Sequence, residues 1–139
     1  MAMYQKSISV FFPSYNEEEN VRESVLSAHE YLSTHFKNYE ILVISCASKD
    51  RTNEITEELI KTIPHLRLIT GPVNPGYAFS VRTGFLNALK SNKELIFYTD
   101  GDRQFDIKEL DKLMPYLEKY DVVTGYKIER NDPVMRSWM

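Results

Sequence analysis

The sequence predicts an α/β fold in three layers, with a mostly parallel sheet held between helices. Two observations carry that reading. Five short apolar, β-branched segments alternate with four amphipathic segments of helical period, giving β-α-β-α-β-α-β-α-β. Right-handed crossovers then force the strands parallel and cover both faces of the sheet, a Rossmann-like arrangement. The length of 139 residues suits one core rather than separate lobes, so residues 1–139 read as a single domain.

The elements follow in order. Ser7 to Phe12 is the first strand, and Pro13-Ser14-Tyr15-Asn16 breaks it. Asn16 and Glu19 have the spacing of an N-cap with a reciprocal carboxylate, which predicts a helix from about Glu17. Its apolar stripe is Val21, Val25, Ala28 and Leu32. Tyr39 to Cys46 is apolar on both faces, as a buried parallel strand is. The second helix carries Ile55, Leu59 and Ile63 and ends before Pro64. Leu66 to Thr70 is the third strand, and residues 71–76 hold two prolines and two glycines, too many for regular structure. The third helix runs from about Tyr77 to Ser91 with Val81, Phe85, Ala88 and Leu89 inward. Glu94 to Thr99 is the fourth strand. Asp106 caps a fourth helix with Leu110, Leu113 and Leu117 inside, and Pro115 kinks it or ends its regular part. Asp121 to Gly125 is the fifth strand, and the last 14 residues read as loop. The expected strand order is 3-2-1-4, with the fifth beyond or beside the fourth.

Composition narrows the function. The net charge is −3 and the pI about 5.6, which argues against a dedicated nucleic-acid binder. The single cysteine, Cys46, rules out an intrachain disulfide and suits a reducing, cytoplasmic setting. No apolar run approaches the ~20 residues of a membrane span, and the N-terminus lacks a signal-peptide core. Met1-Ala2-Met3 reads as an artificial junction.

In such sheets ligands bind beyond the carboxyl ends of the strands, so the loops after each strand carry the chemistry. Asp100-Gly101-Asp102 follows the fourth strand, and Gln104 lies two residues on. Paired oxygen donors suit a hard divalent cation that bridges to phosphates. The plain alternative is a polar turn ahead of a capped helix. Tyr15 could stack on a base and Glu17 could accept from one; equally, Pro13 could merely stop the strand and Glu17 serve the helix dipole. Neither a G-x-G-x-x-G nor a P-loop is present. Phosphate charge would fall to a metal and to basic side chains, with Lys49, Arg51, Arg82, Lys127, Arg130 and Arg136 near these loops.

The ordered strings SVFFPSYNEEENV, YEILVISCASKDRTNEI, NPGYAFSVRTGF, FYTDGDRQFDIKEL and DVVTGYKIERNDPVMR resemble family 2 glycosyltransferases of the GT-A fold. The subgroup they are most similar to is the dolichyl-phosphate mannose synthase-like, or polyprenyl-phosphate glycosyltransferase, enzymes. The resemblance implies metal-dependent transfer of a sugar from a nucleotide-diphospho-sugar donor to a lipid-phosphate acceptor, at the cytosolic face of a membrane. It implies that Pro13, Tyr15 and Glu17 surround the base and ribose. Asp102 and Gln104 would ligate Mg²⁺ or Mn²⁺, with Asp100 facing the sugar nucleotide. Asn74 and Gly76 match the N-x-G loop, Lys127 falls where many members carry arginine, and Arg130 or Arg136 would lie near the phosphates. Catalysis would rest on positioning and on the metal's stabilisation of the departing diphosphate.

Two departures bear on activity. The family's D-D-G-S after the second strand is Ser45-Cys46-Ala47-Ser48 here, so a base-contacting carboxylate is replaced by a thiol. Losing a charge-assisted hydrogen bond costs about 1.5–3 kcal/mol, which predicts weak nucleotide affinity that Cys46→Asp would restore. The family's catalytic domains also continue past the point where this chain stops, so the reading is a domain truncated at its C-terminus and impaired in transfer. Two alternatives follow. One is an engineered hydrolase with Cys46 as nucleophile near a helix N-terminus, served by His29, His35 or His65. The other is a scaffold without catalysis.

Overall fold

The computed structural model describes residues 3–102 and 105–126. The chain divides into two compact units, Met1–Ile107 and Lys108–Met139. The first unit contains strands β1 (Ile8–Pro13), β2 (Tyr39–Ile44), β3 (Leu66–Ile69) and β4 (Leu95–Tyr98). Helices α1 (Val21–His35), α2 (Thr52–Ile60) and α3 (Tyr77–Lys90) connect them. The sheet is parallel in the order β3-β2-β1-β4, as the alternation of elements predicts.

The order reverses direction after β3, so right-handed crossovers set α1 and α2 on one face and α3 on the other. Successive side chains of β1 therefore serve different layers. Phe11 points to α3 and joins Leu42, Ile44, Cys46 and Ala88 in a buried cluster, with Phe79, Val81 and Ile96 packed on its rim. On α1, Val21, Val25, Ala28 and Leu32 are buried as their spacing predicts, together with Tyr31. Each large apolar side chain buried in this way contributes about 1.5–3 kcal/mol. Glu40 is buried in the sheet but satisfied: Ser9 Oγ donates to it at 2.6 Å and Arg67 reaches it at 3.2 Å.

Three expectations are corrected. The first helix begins at Val21 rather than near Glu17, and Asn16 does not cap it. Asn16 has φ +51°, and the amides of residues 16–18 donate instead to Ser48 and Asp50 in the loop after β2 and to Thr52 at the start of α2. On α3 the buried face is Ser80, Gly84 and Ala88, Val81 and Phe85 pack at its rim against the Phe11 cluster, and Leu89 is exposed. The cause is Phe11: a Cβ added at Gly84 would sit 2.2 Å from its ring, so only a small-residue stripe lets the helix seat. Finally, Asp121 to Gly125 is not a strand; it joins no sheet, and Val122 is exposed. A short apolar run becomes a strand only where a neighbour pairs its backbone.

In the second unit, helix α4 is one turn, Leu110–Leu113. It follows a 3-10 turn at Ile107–Glu109 and runs into another at Met114–Glu118, where Pro115 ends the α-helical part as expected. Leu110 and Met114 are buried, whereas Leu113 and Leu117 are only partly so.

Candidate functional site

Four loops meet the carboxyl edge of the sheet. The ladder runs slightly past the strands: Ser14 N–H donates to Ile44 O, Ser45 N–H to Ile69 O and Ala47 N–H to Gly71 O, at 2.8–2.9 Å. Each loop thus leaves from a fixed point.

The loop after β4 carries Asp100 and Asp102, and Gly101 between them is buried. A Cβ at Gly101 would lie 2.8 Å from Ser14 Oγ and 3.2 Å from the Pro13 carbonyl oxygen. Glycine therefore lets this loop press against the end of β1, and Ser24 Oγ on α1 donates to the Gly101 carbonyl at 3.3 Å. The outcome is a pair of carboxylates on one tight turn. Asp100 is exposed, and the Tyr77 hydroxyl donates to its Oδ1 at 2.5 Å. The Tyr77 phenol is pushed far above its ordinary pKa, first by lost hydration around the hydroxyl and then by the Asp100 carboxylate, so it stays protonated as the donor.

Asn74 shapes the approach to α3. Its Oδ1 accepts from the Gly76 N–H at 3.1 Å and from Ser80 Oγ at 3.5 Å. Gly76 takes φ +144°, a conformation that side chains disfavour. Beside this entry lies an open, apolar cleft of about 500 Å³ whose lining includes Tyr77, Val81, Arg82, Phe85, Leu86 and Tyr98. Its floor is aromatic: Phe85 meets Phe11 and Tyr98 edge-on, and Phe11 stacks on Tyr98 at 5.1 Å.

The loops after β1 and β2 are laced together. Asn16 N–H donates to Ser48 Oγ, Glu17 N–H to Thr52 Oγ1 and Glu18 N–H to Asp50 Oδ2, at 2.8–3.1 Å. In return Lys49 N–H donates to Asn16 Oδ1 and Arg51 N–H to Glu18 Oε2. Burial alone would raise the Asp50 pKa; bonds from the Thr52 hydroxyl and amide and from the Glu18 amide outweigh it and hold the carboxyl below its usual range. Tyr15 projects from this lacing about half exposed, and Glu17 accepts from Asn20 Nδ2 at 3.0 Å. Pro13 is buried at the end of β1.

Of the predicted site residues, Pro13 ends β1, and Tyr15, Glu17, Asn74, Gly76, Asp100 and Asp102 stand on loops at the same edge of the sheet. Gln104, Lys127, Arg130 and Arg136 lie outside the described residues. Arg51, considered as a phosphate cation, is bonded to Glu54. Among the described residues no cluster of three or more His, Cys, Asp or Glu side chains forms a metal cage.

The surroundings of Cys46 do not favour a nucleophile. Its thiol is buried against Phe11, Leu42, Ile44 and Ala88, and burial raises its pKa, so the reactive thiolate is disfavoured. The histidines are occupied elsewhere. His29 bonds Tyr39 at the start of β2, His65 packs on the same ring, and His35 bonds the Tyr31 carbonyl within α1.

The sequence pattern described as Glycosyl transferase family 2 matches residues 9–139. The chain belongs to this family. Among its relatives is the putative glycosyltransferase CsbB of Bacillus subtilis, 31% identical over 97% of this chain and 40% of that protein. Dolichyl-phosphate beta-glucosyltransferase of Mus musculus is 29% identical over 96% of this chain and 45% of that protein. Undecaprenyl-phosphate 4-deoxy-4-formamido-L-arabinose transferase of Pectobacterium carotovorum is 29% identical over 94% and 40% respectively. The chain therefore spans less than half the length of these curated relatives.

Solved structures of glycosyltransferases share the fold. The mannosyltransferase PcManGT of Pyrobaculum calidifontis, in complex with GDP-Man and Mn²⁺, superposes with a TM-score of 0.67 at 24% identity, over 82% of this chain and 33% of that one. Glucosyl-3-phosphoglycerate synthase of Mycobacterium tuberculosis, with Mn²⁺, UDP and phosphoglyceric acid, gives 0.62 at 19%, over 84% and 40%. For this family 2 domain, the parallel sheet is thus the GT-A sheet that the motif order implies. No helix among the described residues is long and apolar enough to cross a membrane.

Sequence reading missed two features of the domain. Tyr77 is 23 positions from Asp100, and its only local signal is an aromatic directly after the N-x-G loop. The Ser48, Asp50 and Thr52 side chains read as an ordinary polar loop, with no local sign that their partners lie 32–35 residues earlier.

Proposed function

We propose that this chain is the donor-binding part of a metal-dependent glycosyltransferase that moves a sugar from a nucleotide-diphospho-sugar to a polyprenyl phosphate. The observation that carries the reading is the Asp100-Gly101-Asp102 turn at the carboxyl edge of β4, packed by glycine against the end of β1. Relatives named for dolichyl-phosphate and undecaprenyl-phosphate transfer support the acceptor class. Structural neighbours in complex with GDP-Man or UDP and Mn²⁺ support the donor class and the metal.

The donor set suits a hard cation. Asp102 offers carboxylate oxygens, Gln104 would add an amide oxygen, and the one thiol is packed into the core. A bound Mg²⁺ or Mn²⁺ would offset the charge that builds on the departing diphosphate. The chain's own residues bind and orient. Tyr15 offers an exposed ring for a base and Glu17 a carboxylate beside it, while Asn74 and Gly76 set the loop that leads into α3. Asp100 accepts from the sugar nucleotide, and Lys127 and Arg130 meet its phosphates. A lipid phosphate is already anionic, so positioning rather than a protein base supplies most of the rate. With a lipid-linked acceptor the reaction belongs at a membrane surface, on the cytosolic side, and nucleic acid has no part in it.

Calorimetric titration of UDP and GDP, with and without Mn²⁺, tests the reading. Binding is expected to be weak, to require the metal, and to fall by more than about tenfold in Asp102→Ala, the loss of one charge-assisted contact. Unchanged affinity in that variant would remove Asp102 from the metal site.

A further inference from the structure

We infer that Tyr77 is a positioning residue for the donor: its hydroxyl bonds Asp100 Oδ1, fixes the carboxylate in one orientation and so aims Oδ2 to accept from the sugar nucleotide. This rests on the donor-site reading above and goes beyond it by assigning a residue that the opening motif, the N-x-G loop and the D-x-D pair do not include.

The argument begins with Asp100. It stands in an exposed loop, where a carboxylate would ordinarily turn freely about its terminal torsion. One bond removes that freedom, the 2.5 Å contact from Tyr77 Oη to Oδ1. A hydroxyl has one proton to give, and here it is committed to that oxygen. Charge-assisted bonds of this length are the strong ones.

Such a donor positions its partner only if it is itself anchored. Tyr77 is the first residue of α3, and α3 is seated by the close approach of Gly84 to Phe11 and by buried Ser80 and Ala88. The turn that delivers it is set by Asn74 and by Gly76 at φ +144°. Packed elements therefore hold both ends of the contact, strand β4 for Asp100 and helix α3 for Tyr77. A site tolerates only about 0.5 Å of looseness before binding geometry is lost, which is what such a tether supplies.

Tyr77→Phe separates positioning from packing, because it keeps the ring and deletes only the hydroxyl. The probes are UDP and GDP, titrated with Mn²⁺ against the unaltered chain, Tyr77→Phe, Asp100→Asn and the double variant. Thermal unfolding of each is followed in parallel. Tyr77→Phe should bind about tenfold more weakly with its unfolding midpoint unmoved. The double variant should bind no more weakly than Asp100→Asn alone, since both changes remove one coupled element. Unchanged affinity in Tyr77→Phe, or losses that simply add, would overturn the inference while leaving the donor site in place. Absence of Mn²⁺-dependent binding by the unaltered chain would overturn the donor-site reading, and the role of Tyr77 with it.

Discussion

At the scale of the residue, Ala47 shows what the loop after β2 demands. It sits at φ +56°, in the left-handed region, with its N–H donated to the Gly71 carbonyl at 2.8 Å. The matching position in the D-D-G-S pattern is glycine, which enters that region without steric cost. For alanine the same conformation costs about 1–2 kcal/mol, and the greater freedom of an unfolded glycine returns about 0.5–1 kcal/mol of this. Ala47→Gly should therefore stabilise the fold by about 0.5–1 kcal/mol, read as a higher denaturant midpoint at constant slope. A lower midpoint would mean that the turn carries no strain. The neighbouring Cys46 gives the opposite lesson. Its place beside a helix N-terminus suggested reactivity, but the thiol turns inward to the Phe11 cluster, and one position along a chain decides which.

The element that sets the site's geometry is α3, through its narrow face. Elsewhere in an exposed helix, Gly→Ala gains about 1 kcal/mol of propensity. At Gly84 the added methyl would enter the Phe11 ring, and overpacking of that kind costs about 1–3 kcal/mol. Gly84→Ala should lower the thermal midpoint, and shrinking the obstacle with Phe11→Leu should recover part of the loss. A rise in midpoint for the single variant would show that the helix has room to lift. The same face explains where sequence reading stopped. Apolar spacing located α3, but it assigned Leu89 inward and missed Gly84, because nothing local marks a close approach to a strand. It located α1 too, and placed its start four residues early, because the amides of residues 16–18 find their acceptors in a loop distant in sequence. Strand order was legible because alternation and handedness leave few choices. The D-x-D turn was legible because its two carboxylates lie two residues apart in sequence, whereas the Tyr77 contact exists only in three dimensions.

At the scale of the whole molecule, the outer side of α3 is an exposed apolar surface. Leu86 is 43% and Leu89 61% exposed, and they lie on the helix beside β4, an edge strand among the described residues. Apolar residues beside an unpaired strand edge favour association. The chain should show concentration-dependent self-association in sedimentation velocity, and Leu86→Lys with Leu89→Lys should reduce it while costing less than about 0.5 kcal/mol of stability. Equal association by both chains would place the contact elsewhere. The carboxyl edge of the sheet behaves differently. Its first two loops exchange six hydrogen bonds between backbone and side chain, so neither has a shape of its own. For protein engineering that makes them a single transplantable part. A new base-binding loop grafted in at residues 45–52 would arrive without acceptors for the amides of 16–18 unless residues 14–18 travelled with it.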